Sequence, residues 1–255
     1  RNMWMATADT GLAVAAYGPN TVTAKVGKQR TLVTIDQKTD YPFTRASTLT
    51  IHTENTVNFP LELRIPSWCE EPTVLVNKEP VTNVTAGTYH RIERVWSGGD
   101  VVQISFPMPV KISHWINDSV AVTRGPLVFS LLIEEEKTST QSFLDDQFHT
   151  HEIRPASAWS YAILLAGSPT PSIETTVAKT MPAQPFKAAD APVRLQLKAV
   201  KTDLGGWGTY REDFPARVVE PPQSPVEATG NVETITLVPY GSTEIRITQF
   251  PWVKK

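Results

Sequence analysis

Cysteine is nearly absent, Cys69 being the only one in 255 residues. No disulfide can close within the chain, and no metal site built on several thiolates can be assembled from it. Blocks of like charge are also missing, because 24 basic and 26 acidic residues are interspersed and nearly cancel. Such a surface does not grip phosphates or an anionic bilayer, so neither nucleic acid nor membrane is an expected partner. Apolar runs stay short of the ~18 residues that a membrane-spanning helix requires. Neither a glycine-rich phosphate loop nor a Gly-x-Ser-x-Gly turn occurs. At 255 residues the chain lies near the size at which one core gives way to two, and two domains are expected.

What is present favours strands. The 21 prolines are dispersed, and valine, isoleucine and threonine are abundant. Val57, Phe59, Leu61, Leu63 and Ile65 alternate with Asn58, Pro60, Glu62, Arg64 and Pro66, the period of a strand with one wet face. The same period runs through Val102, Ile104, Phe106, Met108, Val110 and Ile112, and Pro107 and Pro109 predict a sheet edge or a bend there. Phe59, Leu61, Leu63, Ile65, Ile104, Phe106 and Met108 are therefore expected to face inward. Further strands are expected over 12–16, 31–35, 49–53, 120–123, 127–133, 193–200, 234–238 and 244–248. Gly98-Gly99-Asp100 reads as the turn of a hairpin, as does Asn77-Lys78, and residues 239–242 read as the turn joining the last two strands. The expected fold is all-β, with two antiparallel β-sandwich domains and little helix. The first spans 12–136, a polar linker spans 137–151, and a smaller second sandwich spans 152–255.

Reactive groups are sparse. His149 and His151 would share a face on one strand, with Asp145, Asp146 and Glu152 nearby, but the set lacks a third strong ligand, and a solvated linker is the better reading. The adjacent acidic pairs Glu70-Glu71 and Asp145-Asp146 diverge on an extended chain and do not make an opposed acid and base. The seven tryptophans carry more information, because an exposed indole can stack on a sugar ring, although most tryptophans fill cores. Trp207 and Tyr210, in the glycine-rich loop Asp203-Leu-Gly-Gly-Trp-Gly-Thr-Tyr210, are the candidate sugar-binding residues. Trp4 and Met5, bulky and close to the first residue, either dock on a missing neighbour or pack on this chain's own core.

Several stretches resemble the C-terminal half of glycoside hydrolase family 127, the β-L-arabinofuranosidase-like proteins. They are residues 2–12 (Asn-Met-Trp-Met-Ala-Thr-Ala-Asp-Thr-Gly-Leu), 39–43 (Thr-Asp-Tyr-Pro-Phe), 63–69 (Leu-Arg-Ile-Pro-Ser-Trp-Cys), 124–128 (Arg-Gly-Pro-Leu-Val) and 237–241 (Leu-Val-Pro-Tyr-Gly). Trp96, Gly99, Asp100, Pro107, Met108 and the ending 244–251 extend the resemblance over nearly the whole chain. It implies a parent enzyme whose chemistry lies in an N-terminal (α/α)6 barrel, where cysteine thiolates and a glutamate hold zinc and one cysteine attacks the anomeric carbon. The adjacent-cysteine motif of that barrel is not in this chain. Residues 1–11 then lead out of the missing domain, zinc is expected there rather than here, and Cys69 is a small buried hydrophobe. The chain alone is expected to be inactive, with its own barrel as partner and an oligosaccharide or plant glycan as a possible ligand. The resemblance favours a periplasmic or secreted parent. Two other readings are a carbohydrate-binding module and, last, an autonomous enzyme with its own carboxylate pair.

Overall fold

The computed structural model describes residues 3–144, 148–165, 171–202, 220–227 and 230–254. Strands dominate, and the only helical pieces among the described residues are two 3-10 turns, Ile116–Asp118 and Tyr240–Ser242. The chain divides into two compact units, Arg1–Pro109 and Val110–Lys255.

The first unit holds β1 (Trp4–Ala6), β2 (Leu12–Val14), β3 (Asn20–Val26), β4 (Thr31–Thr39), β5 (Ala46–His52), β6 (Val57–Arg64), β7 (Thr73–Val76), β8 (Glu79–Pro80), β9 (Tyr89–Trp96) and β10 (Val101–Ser105). One sheet has the order β1-β2-β6-β9 and the other β3-β4-β5-β10-β7-β8. Both contribute to a single core, with Phe59, Leu61 and Leu63 from the first sheet meeting Ile35, Leu49, Ile51 and Ile104 from the second. This is a β-sandwich. All seven residues expected to face inward are buried, while Arg64 is exposed, so the alternation read along β6 has the right register. The pairing is antiparallel except that β2 runs parallel to β6.

Phe106 centres an aromatic cluster: Tyr17, Tyr41 and Trp68 lie with ring centroids 5.0, 6.5 and 6.1 Å from it, all edge-on. Two of the stretches that resemble the family, 39–43 and 63–69, thus meet at one packing site. Burial pushes the phenol pKa of both Tyr17 and Tyr41 upward, and the Tyr17 hydroxyl donates to the Arg64 carbonyl at 2.9 Å.

Asn77 and Lys78, both at positive φ (53° and 73°), turn the β7–β8 hairpin as expected. Gly98-Gly99-Asp100 does not make a hairpin. β9 pairs with β6, whereas β10 pairs with β5 and β7, so residues 97–100 carry the chain from one sheet to the other. The crossing is held by Gly99 N–H donating to Ile51 O (2.8 Å) and Asp100 O accepting from Ile51 N–H (2.9 Å).

The second unit holds β11 (Val110–His114), β12 (Val120–Arg124), β13 (Leu127–Leu131), β14 (Glu135–Phe143), β15 (Phe148–Pro155), β16 (Tyr161–Leu164), β17 (Ile173–Val177), β18 (Val193–Lys201), β19 (Val232–Pro239), β20 (Gln249–Phe250) and β21 (Trp252–Val253). Its main sheet follows β11-β12-β13-β19-β18-β16-β21, with β17 also on β18 and β20 on β12. The pair β16–β21 is parallel.

Three boundaries differ from the sequence reading. The division falls after Pro109, not after 136, because β13 pairs with β19 and draws β11–β13 into the second unit; the unit beginning there is consequently the larger one. Pro107 and Pro109 mark the break between β10 and β11, which the shared alternation had joined. Residues 137–151 are expected as a linker, but 137–143 lie in β14 and 148–151 in β15, which pair antiparallel. Their polar side chains on both faces hide the period of two. Residues 244–248 are not a strand, because the backbone N–H groups of Glu244 and Ile245 donate to the Glu135 carboxylate (2.9 and 2.7 Å) instead of to a strand partner.

Candidate functional site

The residues singled out in the sequence are dispersed. Trp207 and Tyr210 lie outside the described residues, as do Asp145 and Asp146. Trp4 is half-buried on β1, packs against the first unit's core and donates its indole N–H to Asn20 Oδ1 at 2.6 Å. Met5, its neighbour on this edge strand, is 54% exposed. Cys69 is fully buried in the same core, out of reach of any sugar in solution. His149 and His151 do share a face of β15, with ring centroids 6.2 Å apart. Among the described residues no group of three or more His, Cys, Asp or Glu side chains is placed to hold a metal ion.

The first unit carries a cleft of about 550 Å³ lined by Thr31, Leu32, Thr34, His52, Thr53, Glu54, Asn55, Gly98 and Gly99. At its margin His52 Nε2 lies 3.0 Å from Asp36 Oδ2, and the Thr21 hydroxyl donates to Asp36 Oδ1 at 2.6 Å. The Thr21 hydrogen bond, with a smaller contribution from His52, holds the Asp36 carboxyl below its ordinary pKa. A carboxyl lowered in this way stabilises the fold above its ordinary pKa and loses that contribution as pH falls through the lowered one. Thr21→Ala is therefore expected to raise the Asp36 midpoint in an NMR carboxyl titration; an unchanged midpoint would assign the shift to His52. Glu54 is the one carboxylate among the lining residues, and Asp36 stands behind His52.

The second unit carries an apolar cleft of about 380 Å³, lined by Pro126, Leu127, Val128, Phe186, Pro239, Tyr240, Gly241 and Thr248. It is assembled from the beginning of β13 and the 3-10 turn that ends β19. Those are the stretches 124–128 and 237–241 that resemble the family, brought together across the sheet by the β13–β19 pairing. Arg246 fixes the turn: its guanidinium carbon sits 4.5 Å from the Tyr240 ring centroid, and its Nε donates to Thr243 O at 2.9 Å. Phe186 closes the other side against Gly241, where an added Cβ would come within 3.0 Å of the phenyl ring. Val128, Phe186 and Tyr240 remain exposed. The lining contains no carboxylate, imidazole or thiol, so the cleft is equipped to bind rather than to react. Phe186 gave no sequence signal, standing in a run of Pro, Ala and Gln; Tyr240 was legible only as a turn residue.

The described residues form an all-β protein whose two units each carry a cleft. Residues 11–108 match the family model of the middle domain of GH127 β-L-arabinofuranosidases, so the resemblance read from the sequence holds for almost all of the first unit. No curated protein matches the chain in sequence. Solved structures resemble it over both units. A GH127 β-L-arabinofuranosidase from Geobacillus stearothermophilus T6 is 23% identical with a TM-score of 0.64, and the match covers 99% of this chain and 35% of that one. For a glycoside hydrolase the values are 24%, 0.60, 96% and 36%, and for a GH127 β-arabinofuranosidase 19%, 0.65, 96% and 35%. At these identities the likeness is one of fold, and the chain spans about a third of the length of each of these proteins.

Proposed function

We propose that this chain is the non-catalytic β-region of a larger β-L-arabinofuranosidase-like glycoside hydrolase and that it packs on and stabilises the catalytic (α/α)6 barrel. The observation that carries this reading is coverage: 99% of the chain aligns with 35% of a GH127 enzyme, while residues 11–108 match that family's middle domain rather than a catalytic one. Zinc and its cysteine ligands then belong to the barrel. Two surfaces are suited to docking. One is the apolar cleft between Val128 and Tyr240. The other is the outer face of β1, where Met5 points to solvent. Apolar surface of this kind on a globular unit marks a covered face, and interdomain contacts within one chain commonly span ~600 to 1,500 Å².

The test is association in trans. The chain is expected to bind the separately expressed barrel with a Kd of about 1 μM or tighter, and Val128→Asp is expected to weaken binding by about tenfold or more. Because Val128 is exposed, that substitution should leave the urea midpoint of the chain unchanged. The chain alone should not hydrolyse an aryl arabinofuranoside. Turnover that survives repurification and Cys69→Ala, or failure to bind the barrel, would overturn the proposal.

A further inference from the structure

The cleft of the first unit lies at one end of the sandwich, where the start of β4, residues 53–55 between β5 and β6, and the crossing at 97–100 converge. Connections clustered on a rigid sandwich are where such folds commonly hold ligands. Here the walls are fixed in advance. Thr34 pairs with His52 in the β4–β5 ladder, and Thr53 Oγ1 donates to Asn55 O at 2.8 Å, closing the turn that follows. Asp100 stiffens the crossing, its carboxylate accepting from Ser97 N–H at 2.9 Å and from Asn77 Nδ2 at 2.8 Å. Gly98 lies so close to the turn that an added Cβ would come within 2.6 Å of Thr53 O, whereas nothing stands within 4 Å of a Cβ at Gly99. The crossing is thus seated on one side and leaves the cleft open on the other.

His52 is the oriented group in the lining. Asp36 Oδ1 accepts from the Thr21 hydroxyl at 2.6 Å, and Asp36 Oδ2 lies 3.0 Å from His52 Nε2. An ionised carboxylate can only accept, so it makes Nε2 the donor of the neutral ring and leaves Nδ1 as an acceptor for a ligand. Glu54 adds a carboxylate acceptor, Asn55 an amide, Thr31 and Thr34 hydroxyls, and Leu32, 60% exposed, an apolar surface. Neither lysine nor arginine stands among the described residues of the lining. With Glu54 in the wall and Asp36 behind it, a phosphate, sulfate or uronate would meet like charge. What fits is a neutral ligand with several hydroxyls set on C–H surface. A volume of about 550 Å³ falls within the ~300 to 1,000 Å³ of small-molecule sites and admits a disaccharide.

We propose that this cleft binds one or two rings of a neutral oligosaccharide, with His52 and Glu54 accepting from its hydroxyls and Asp36 positioning the imidazole; the choice of an arabinose-containing sugar rests on the reading of the chain as part of a glycoside hydrolase. The site shares no residue with the Trp207 loop or with the Val128–Tyr240 cleft.

The test is a titration of the whole chain with a β-linked arabinofuranosyl disaccharide, read by NMR shift changes at Leu32, His52 and Gly99 and by calorimetry. Binding in the millimolar range is expected. His52→Ala should weaken it about tenfold and Glu54→Gln about threefold; both side chains are exposed, so the urea midpoint should not move. A galacturonate disaccharide should bind about tenfold more weakly than the neutral one. The positioning role of Asp36 is read from the His52 ring nitrogens: Asp36→Ala should shift their 15N resonances toward a mixture of tautomers, and Asp36→Asn, whose amide oxygen can still accept from Nε2–H, should restore the wild-type pattern. No binding at tens of millimolar disaccharide overturns the proposal, as does binding that His52→Ala leaves intact or that the galacturonate matches. If His52→Ala instead abolishes capture by the separately expressed barrel and no sugar binds, the cleft is a docking face and the proposal is wrong. Barrel capture tests the accessory-region reading independently, so the two failures are distinguishable.

Discussion

Replacing Trp96 by alanine is expected to destabilise the Arg1–Pro109 unit by about 4 kcal/mol, in the range of large-to-small aromatic truncations. The indole is fully buried at the end of β9. It packs against Phe59 at 5.8 Å between ring centroids and donates Nε1–H to Phe59 O at 3.0 Å. Alanine removes the packing and also leaves a buried carbonyl without its donor, so the two losses have the same sign. With a urea slope of about 2 kcal/mol per molar, the midpoint should fall by about 2 M. Trp96→Phe recovers part of the packing and none of the hydrogen bond. It should fall between wild type and alanine; a phenylalanine variant as stable as wild type would show that the indole N–H contributes nothing.

Gly27→Ala is the second large effect expected, at about 3 kcal/mol, because strain and crowding act together there. Gly27 ends β3 with φ +69°, and an added Cβ would lie 2.8 Å from both Asn58 O and Val57 Cγ2. The first of these atoms is backbone on β6 and cannot swing aside. Gly99 separates the two causes: its φ is +91°, yet nothing lies within 4 Å of an added Cβ. Gly99→Ala should therefore cost only the strain, about 1 kcal/mol. Equal losses at the two positions, measured by urea unfolding, would mean that crowding at Gly27 is relieved by a small backbone shift.

Legibility of the fold in the sequence followed one-sided burial. β6 was readable because Phe59, Leu61 and Leu63 are buried while the residues between them are wetter, apart from Pro60. β3 was missed because, as an edge strand, it carries only Val22, Ala24 and Val26 against threonine and lysine. The described side chains of β14 and β15 are all exposed or half-exposed, so periodicity has little to report in them. The passage between sheets at 97–100 looked like a hairpin because turn residues encode a reversal and not the identity of the strand that receives the chain. The candidate sites were less legible still. Val128 and Tyr240 are brought together by the β13–β19 pairing, and Phe186 reaches them from the segment between β17 and β18.

The two parallel pairings constrain how the chain acquires its structure. β2 aligns Leu12–Val14 beside Leu61–Leu63, and β16 aligns Ile163 and Leu164 beside Trp252 and Val253. Neither contact can be made by a local reversal, so each requires a long loop to close before any hydrogen bond rewards it. A chain of this topology folds in milliseconds to seconds rather than microseconds. During synthesis the first unit can complete its sheets once β10 has left the ribosome. The edge of β16 stays open until Trp252–Val253 emerges, and for that interval the second unit is the part of the molecule open to pairing with the wrong strand.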